Sequence, residues 1–247
     1  MKNSVQPAWV LGRRAYRDSS LLVDLLTAEN GRMSAVVKGA HRKQRGGSYA
    51  SLMQPFCPIL VGLGGKTELK YLSSAENAGV ALSLPGERLF SGLYMNELLV
   101  RLLPKFDAVP QLFATYGSSL LALSDNRDPE VTLRRFELAL FEELGYEIQW
   151  HRDDRGQEVS SDRNYLFAHD RGFVETAEGV TEEVLTGADL IALNAWYRKS
   201  TPLTNHAKQS LKRIMRQAVD YRLDGRPLKV REALSQWRNL GQTAGEV

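Results

Sequence analysis

Apolar and polar positions alternate with a period of two from Trp9 to Ser74. The pattern predicts strands over Ala8–Tyr16, Ser20–Thr27, Gly31–Lys38, Ile59–Gly64 and Glu68–Ser73, each short, rich in Val, Leu and Tyr, and bounded by turn residues. Asn30-Gly31 between the second and third is a hairpin signal, because both residues tolerate the positive φ of a type I′ turn. Five short strands in about 75 residues predict a small closed barrel. The commonest five-stranded barrel of that size is the OB-fold, whose open face and flanking loops bind single-stranded nucleic acid.

After Ser83 the apolar period lengthens to that of helices. Gly86–Leu103 sets Leu89, Leu93, Met95, Leu98 and Leu102 broadly on one face before Pro104 stops it. Pro110–Ser124 follows. Pro129–Leu144 comes next, with Asp128 as cap, Pro129 at the first helical position and Gly145 at the end. Residues 146–180 are polar, with strand-like pieces at Tyr165–Ala168 and Gly172–Glu175, and helical spacing returns over Ala188–Tyr197, Asn205–Leu223 and Val230–Leu240. The expected class is α+β: an OB-fold barrel over residues 1–80, then a mainly α-helical domain over 81–247 with a small irregular, strand-containing insert around 146–180.

Composition changes this picture little, and charge changes it more. With 43% hydrophobic and 25% charged residues the chain reads as globular, and its apolar runs fall short of the ~20 residues a membrane helix needs. No hydrophobic signal core stands at its start, so a cytoplasmic location without membrane contact is expected. The net charge of +3 is unevenly spread: residues 1–80 carry +6, residues 81–198 carry −9 and residues 199–238 carry +7. Basic blocks attract polyanions through counterion release, which puts nucleic acid first among partners.

Candidate chemistry is sparse. Cys57 is the single cysteine and reads as a buried strand residue, so neither an intrachain disulfide nor a cysteine zinc site can form. His41, His151, His169 and His206 are scattered, and His151 with Asp153 and Asp154 reads as a polar loop rather than a metal corner. Gly62–Thr67 ends in Gly-Lys-Thr, yet the glycine that a phosphate-binding loop needs is Leu60 and the run leads into a strand, so it reads as a hairpin turn. No nucleophile and base pair stands out. Glu142 and Glu143 point to different sides of a helix, and no metal, cofactor or catalytic residue is expected.

Two basic runs do stand out. Lys38 to Tyr49 holds Lys38, Arg42, Lys43 and Arg45 among glycines, as a mobile loop that can follow a phosphate backbone while Tyr49 offers a stacking face. On Asn205–Leu223, Lys208, Lys212, Arg216 and, one step round, Arg213 recur at helical spacing opposite Leu211, Ile214, Met215 and Val219. Either run alone could be a solvated face. Attached to one OB-fold barrel they support each other.

Several segments resemble the RecO recombination-mediator family in type and order. They are Tyr16-Arg17-Asp18-Ser19-Ser20, Thr27 with Glu29-Asn30-Gly31, Val37-Lys38-Gly39-Ala40, and Leu52 with Gln54-Pro55-Phe56. Later come Leu133-Arg134-Arg135-Phe136-Glu137-Leu138 through Glu143-Leu144-Gly145-Tyr146, and Leu223-Asp224-Gly225-Arg226-Pro227-Leu228-Lys229. The resemblance implies an OB-fold followed by a helical domain, binding of single- and double-stranded DNA, annealing of complementary strands, and help for RecA in loading onto strands coated by single-stranded DNA-binding protein (SSB). It further implies RecR and the acidic, hydrophobic C-terminal tail of SSB as partners, with RecA served indirectly. Many relatives carry a four-cysteine zinc module after the Gly-Tyr pair. Here that stretch reads Trp150-His151-Arg152-Asp153-Asp154, so no structural zinc is expected, and packing by Trp150, Tyr165, Phe167 and Phe173 would take its place.

On this reading the barrel's DNA surface comprises Arg13, Arg14, Arg17, Lys38, Arg42, Lys43 and Arg45, and the helical one Lys208, Lys212, Arg213 and Arg216. Tyr16 and Tyr49 are candidates for base stacking, against the alternative that such rings belong to the core. Arg134 and Arg135 are candidates for the SSB tail. An RNA-binding OB-fold protein of translation or RNA maturation fits the same charges, because stacking and phosphate contacts do not read the 2′-hydroxyl. An enzyme with a barrel appendage is disfavoured by the missing constellation.

Overall fold

In the computed structural model, which describes residues 5–42, 47–177 and 184–243, the first five strands are β1 (Val5–Tyr16), β2 (Ser20–Thr27), β3 (Gly31–Val37), β4 (Pro58–Gly64) and β5 (Lys70–Asn77). They form a closed barrel in the order β1-β2-β3-β5-β4, the OB-fold arrangement, with β4 returning to β1 and β3 meeting β5 in parallel. A single turn of helix, α1 (Tyr49–Leu52), lies between β3 and β4. Alternation sends Val10, Leu21, Val23, Leu25, Ala35, Val37, Ile59 and Val61 inward, where all are buried. Each of the Val, Leu and Ile side chains among them contributes about 1.5–3 kcal/mol on burial, enough together to fix the register. Cys57 is buried just ahead of β4, which pushes its thiol pKa up.

The β2–β3 connection differs from the expected two-residue turn. Ala28, Glu29 and Asn30 bridge Thr27 and Gly31, which pair directly. Only Gly31 has a positive φ, +61°. Asn30 is held another way, its N–H donating to Thr27 Oγ1 at 3.2 Å and its side-chain amide to Gln6 Oε1 at 3.2 Å. Glycine is needed at 31 for space as well as for φ, since a Cβ there would lie 1.6 Å from the Asp107 carbonyl oxygen.

Helices α2 (Glu87–Leu102) and α3 (Pro110–Ser124) pack on β1 where that strand is irregular. Its register shifts between Val10 and Gly12, leaving Leu11 without a strand partner. The Asn96 amide of α2 donates to the Leu11 carbonyl at 2.8 Å, and the buried Tyr116 hydroxyl of α3 donates to Asn96 Oδ1 at 2.5 Å. Trp9 meets Tyr116 edge-on, with centroids 5.8 Å apart. Burial holds the Tyr116 hydroxyl neutral by raising its pKa far above the ordinary phenolic range.

The helices α4 (Pro129–Glu143), α5 (Gly187–Lys199), α6 (Asn205–Arg222) and α7 (Lys229–Thr243) follow, with β6 (Asn164–Ala168), β7 (Gly172–Thr176) and β8 (Leu185–Thr186) between α4 and α5. Two compact units divide the chain, Met1–Phe136 with Leu228–Val247 and Glu137–Pro227, the first boundary falling within α4. In the first unit α7 packs on α2. The Glu97 carboxylate accepts the N–H groups of Lys229 and Val230 at 3.0 Å each, an anion at the positive end of a helix. Phe90 meets Trp237 at 5.5 Å, and Arg238 grips Glu87 through two contacts of 2.8 and 2.9 Å, which lowers the Glu87 pKa.

In the second unit β6 pairs with β7 and β8 as a three-stranded sheet with an aromatic core. Phe173 lies 5.6 Å from Trp150 and 5.4 Å from Phe167, while the buried Tyr165 accepts the Ser160 N–H through its hydroxyl at 2.9 Å. α6 is capped by Thr204, whose hydroxyl accepts from the Ala207 N–H at 3.1 Å, and it buries Ala207, Leu211, Ile214, Met215, Ala218 and Val219. Among the described residues no group of three or more His, Cys, Asp or Glu side chains could hold a metal ion, and no helix is long and apolar enough to cross a membrane.

Two outcomes are expected. Gly31→Ala lowers unfolding stability by at least ~2 kcal/mol in urea, because strain and a backbone collision coincide; a change below about 0.5 kcal/mol would mean that the Asp107 segment yields freely. Phe173→Ala costs about 3–5 kcal/mol, whereas EDTA leaves the melting temperature of the wild type unchanged.

Candidate nucleic-acid interface

The bulge in β1 decides which of its arginines face outward. Val10 lies in the core, and without the extra residue at Leu11 the inward set would continue through Gly12 and Arg14. Instead Arg13 pairs with the buried Val23, and Arg14 pairs with Leu22 on the outer face. Arg13 turns to α1 and donates to the Ala50 carbonyl at 2.6 Å. Arg14 stays exposed, 3.8 Å from Asp24, which also accepts from the Ser34 hydroxyl at 2.6 Å. Tyr16 closes the strand on the same outer side, partly buried, with the Arg17 guanidinium 5.2 Å from its ring.

Arg17, Lys38 and Arg42 are exposed, and the structure brings their segments together at one end of the barrel. Leu21 pairs with Val37, and the Ala40 N–H donates to the Ser19 carbonyl at 3.0 Å, so the turn after β1 and the segment after β3 are joined. Lys43 and Arg45 lie outside the described residues. Tyr49 is not part of a mobile loop. It opens α1 and packs, partly buried, against the barrel core, because Ala50, Leu52 and Met53 beside it are drawn into the same apolar interior.

An aromatic ring that the sequence reading passed over lies on the outer face. Tyr71 of β5 pairs in parallel with Val36 and is 47% exposed. Its ring covers Gly64, where a Cβ would come within 2.5 Å of it. Lys66 in the preceding turn is exposed, and Lys70 sits 5.2 Å over the Phe106 ring. In OB-folds the β2–β3 face with the β1–β2 and β4–β5 turns is the usual oligonucleotide track; Arg17 and Lys66 lie in those two turns, while Arg14 on β1 pairs with Leu22 of β2 and Tyr71 on β5 pairs with Val36 of β3. The available signal was strand parity: Tyr71 is out of phase with the inward Leu72.

The second basic block forms a ladder on α6. Lys212 and Arg216 are exposed, Lys208 and Arg213 are partly covered, and Arg216 lies 3.9 Å from Asp220 one turn on. Arg134 and Arg135 are unlike one another. Arg134 is only 9% exposed, whereas Arg135 is partly exposed on the same helix.

The sequence comparisons bear on this geometry directly. Residues 1–80 match the family model described as "Recombination protein O N terminal", and residues 85–232 match "Recombination protein O C terminal". A protein of Stutzerimonas stutzeri strain A1501 named DNA repair protein RecO is 43% identical over 92% of each chain. One of the same name from Methylococcus capsulatus is 40% identical over 91% of this chain and 90% of its own, and one from Haemophilus influenzae strain 86-028NP is 37% identical over 96% and 98%. With both halves matched, and with a closed five-stranded barrel preceding the helices, the chain belongs to the recombination protein O family.

Proposed function

We propose that this protein acts in DNA repair as a non-enzymatic mediator in the cytoplasm. It binds single- and double-stranded DNA, anneals complementary strands, and assists RecA loading on DNA coated by SSB. The barrel of residues 1–80 supplies one DNA surface and residues 81–247 the other. The observation that carries the reading is the gathering of Arg17, Lys38 and Arg42 at one end of an OB-fold barrel whose outer face also presents Arg14 and Tyr71. The relatives' names support the repair role. The work required is electrostatic and steric: phosphates are neutralised on two strands while bases stay accessible to pair. RecR and the SSB tail are the proposed protein partners, and Arg135, partly exposed on α4, is the better placed of the two candidates for the tail's carboxylates.

Affinity for a single strand should fall with salt at a log–log slope of about −0.7 per phosphate neutralised. Replacing Arg42, Lys43 and Arg45 by Ala should flatten that slope by up to about 2, while Tyr71→Ala weakens binding by about 1–3 kcal/mol without altering it. An unchanged slope in the triple variant removes that segment from the DNA site. RNA of matched sequence, added as competitor, tests whether the preference is for DNA.

Two surfaces on one molecule raise the local concentration of two strands, so annealing needs both whereas simple binding needs mainly one. Lys208, Lys212 and Arg216 changed together to Ala should therefore slow annealing of SSB-coated complementary strands more than they weaken binding to a short single strand. Equal losses in the two assays would reduce the model to one surface.

A further inference from the structure

The outer face of the barrel is closed toward one end and open toward the other. Trp9, Leu26 and Arg32 lie side by side across β1, β2 and β3, and helical segments cover that row. Leu26 is fully buried, Trp9 meets Tyr116 of α3, and the Arg32 guanidinium donates to the Leu103 carbonyl at 2.8 Å. Nearer the other end, Arg14, Leu22, Val36 and Tyr71 are successive partners across β1, β2, β3 and β5. Four outward side chains thus stand in one row over three strand spacings, roughly 14 Å. Leu22 and Val36 are partly buried between the exposed Arg14 and Tyr71. One step further on, Tyr16 pairs with Ser20 and Lys38 follows Val37, with Arg17 and Arg42 beyond them.

Between the covered row and the open one stands an acid. Asp24 pairs with Gly12 on one side and with Ser34 on the other. Its Oδ1 accepts the Ser34 hydroxyl at 2.6 Å, whereas among the described residues Oδ2 meets only Arg14, at 3.8 Å, beyond hydrogen-bond range. A carboxylate offers about four acceptor sites, so capacity remains on this one. The side chain keeps 15% exposure, enough to be reached and little enough to strengthen any bond it accepts. Space lies beside it, because a Cβ at Gly12 would meet nothing within 4 Å.

These surroundings select what can lie on the open row. A phosphate is drawn to Arg17, Lys38 and Arg42 and repelled by Asp24, which leaves the backbone at the barrel end. A cationic peptide side chain could bond Asp24 but would have to sit among Arg14 and those three cations. A neutral heterocycle gains from every part: the apolar floor of Leu22 and Val36, the Tyr71 ring to stack on, and an acceptor at its edge. Bases differ in what they bring to that acceptor. Cytosine N4 and adenine N6 carry amino hydrogens, whereas thymine shows the O4 acceptor and a methyl group. We propose that Asp24 is a specificity-determining residue of the barrel's single-strand track, accepting a base amino group and favouring cytosine and adenine over thymine at that position. This rests on the DNA-binding reading above and adds base selection to it.

The test measures binding of the full-length protein to strands of deoxycytidine, of thymidine and of N4,N4-dimethyldeoxycytidine, equal in length and at one salt concentration. The ratio of cytosine-strand to thymine-strand affinity should fall roughly fivefold from wild type to Asp24→Asn, since the amide can donate to O4 while still accepting from Ser34. Taking the ratio cancels any general gain from removing a negative charge. The wild type should bind the dimethylated strand roughly fivefold more weakly than the cytosine strand, a loss that is absent in Asp24→Asn and needs no variant to be seen. Tyr71→Ala should weaken cytosine and thymine strands alike and leave their ratio unchanged. If Asp24→Asn tightens all three strands by one factor, Asp24 is a repulsive charge only and its role in base selection falls. The same follows if the wild type binds dimethylated and plain cytosine equally. Should the wild type bind none of the strands, the DNA-binding reading itself fails and takes this assignment with it.

Discussion

Leu11 has no residue opposite it in the sheet, and its carbonyl is where the helices of the first unit take hold of the barrel. A single extra residue in β1 turns that group toward α2, where Asn96 donates to it, and Tyr116 of α3 completes the chain by donating to Asn96. A buried peptide group left unpaired would cost several times what an average hydrogen bond contributes, so barrel, α2 and α3 are committed to one arrangement. The same bulge inverts the strand's parity and delivers Arg14 and Tyr16 to the outer face. Packing on one side and the exposure of Arg14 on the other thus have a common origin in one irregular residue.

Much of this was legible in the sequence, and the reasons differ by element. The barrel strands announced themselves because a core on one face forces a period of two, and α3 and α4 because proline can open a helix but cannot continue one. The hairpin signal at Asn30-Gly31 gave the location of a turn but not its type, since a hydrogen bond from Asn30 to Thr27 and another to the distant Gln6 decided the backbone there. α1 and β8 escaped notice because four residues and two residues are too short to carry a period. The change of pattern near residue 80 marks where strands give way to helices. It gave no sign that α2, α3 and α7 share a compact unit with the barrel, because that depends on contacts such as Glu97 with the start of α7, 132 positions away.

The candidate interface was legible as charge and less so as shape. Cations are visible in any sequence, and the segments of Arg17, Lys38 and Arg42 come to one end of the barrel because β2 pairs with β3 and Ala40 bonds to Ser19. Aromatic roles depended on facts the sequence does not carry. Tyr49 was recruited by the core under α1, while Tyr71, overlooked beside a glycine-rich turn, emerges on the outer face since β5 runs parallel to β3 there. The aromatic packing around Phe173 was expected from the family resemblance, in which Trp150, Tyr165, Phe167 and Phe173 stand where relatives carry cysteines.

The return of α7 to α2 has a consequence for how the chain is made. Between Phe136 and Leu228 the ribosome must synthesise the whole second unit, about 90 residues, before the strand of chain that finishes the first unit emerges. At roughly 5–20 residues per second this leaves Phe90, and the Glu97 carboxylate that caps α7, uncovered for roughly 5 to 20 seconds in every newborn molecule. During that interval the barrel is already complete while its helical flank still shows apolar surface to its surroundings. Slow codons or a stalled ribosome within the second unit would lengthen that exposure without changing a single amino acid.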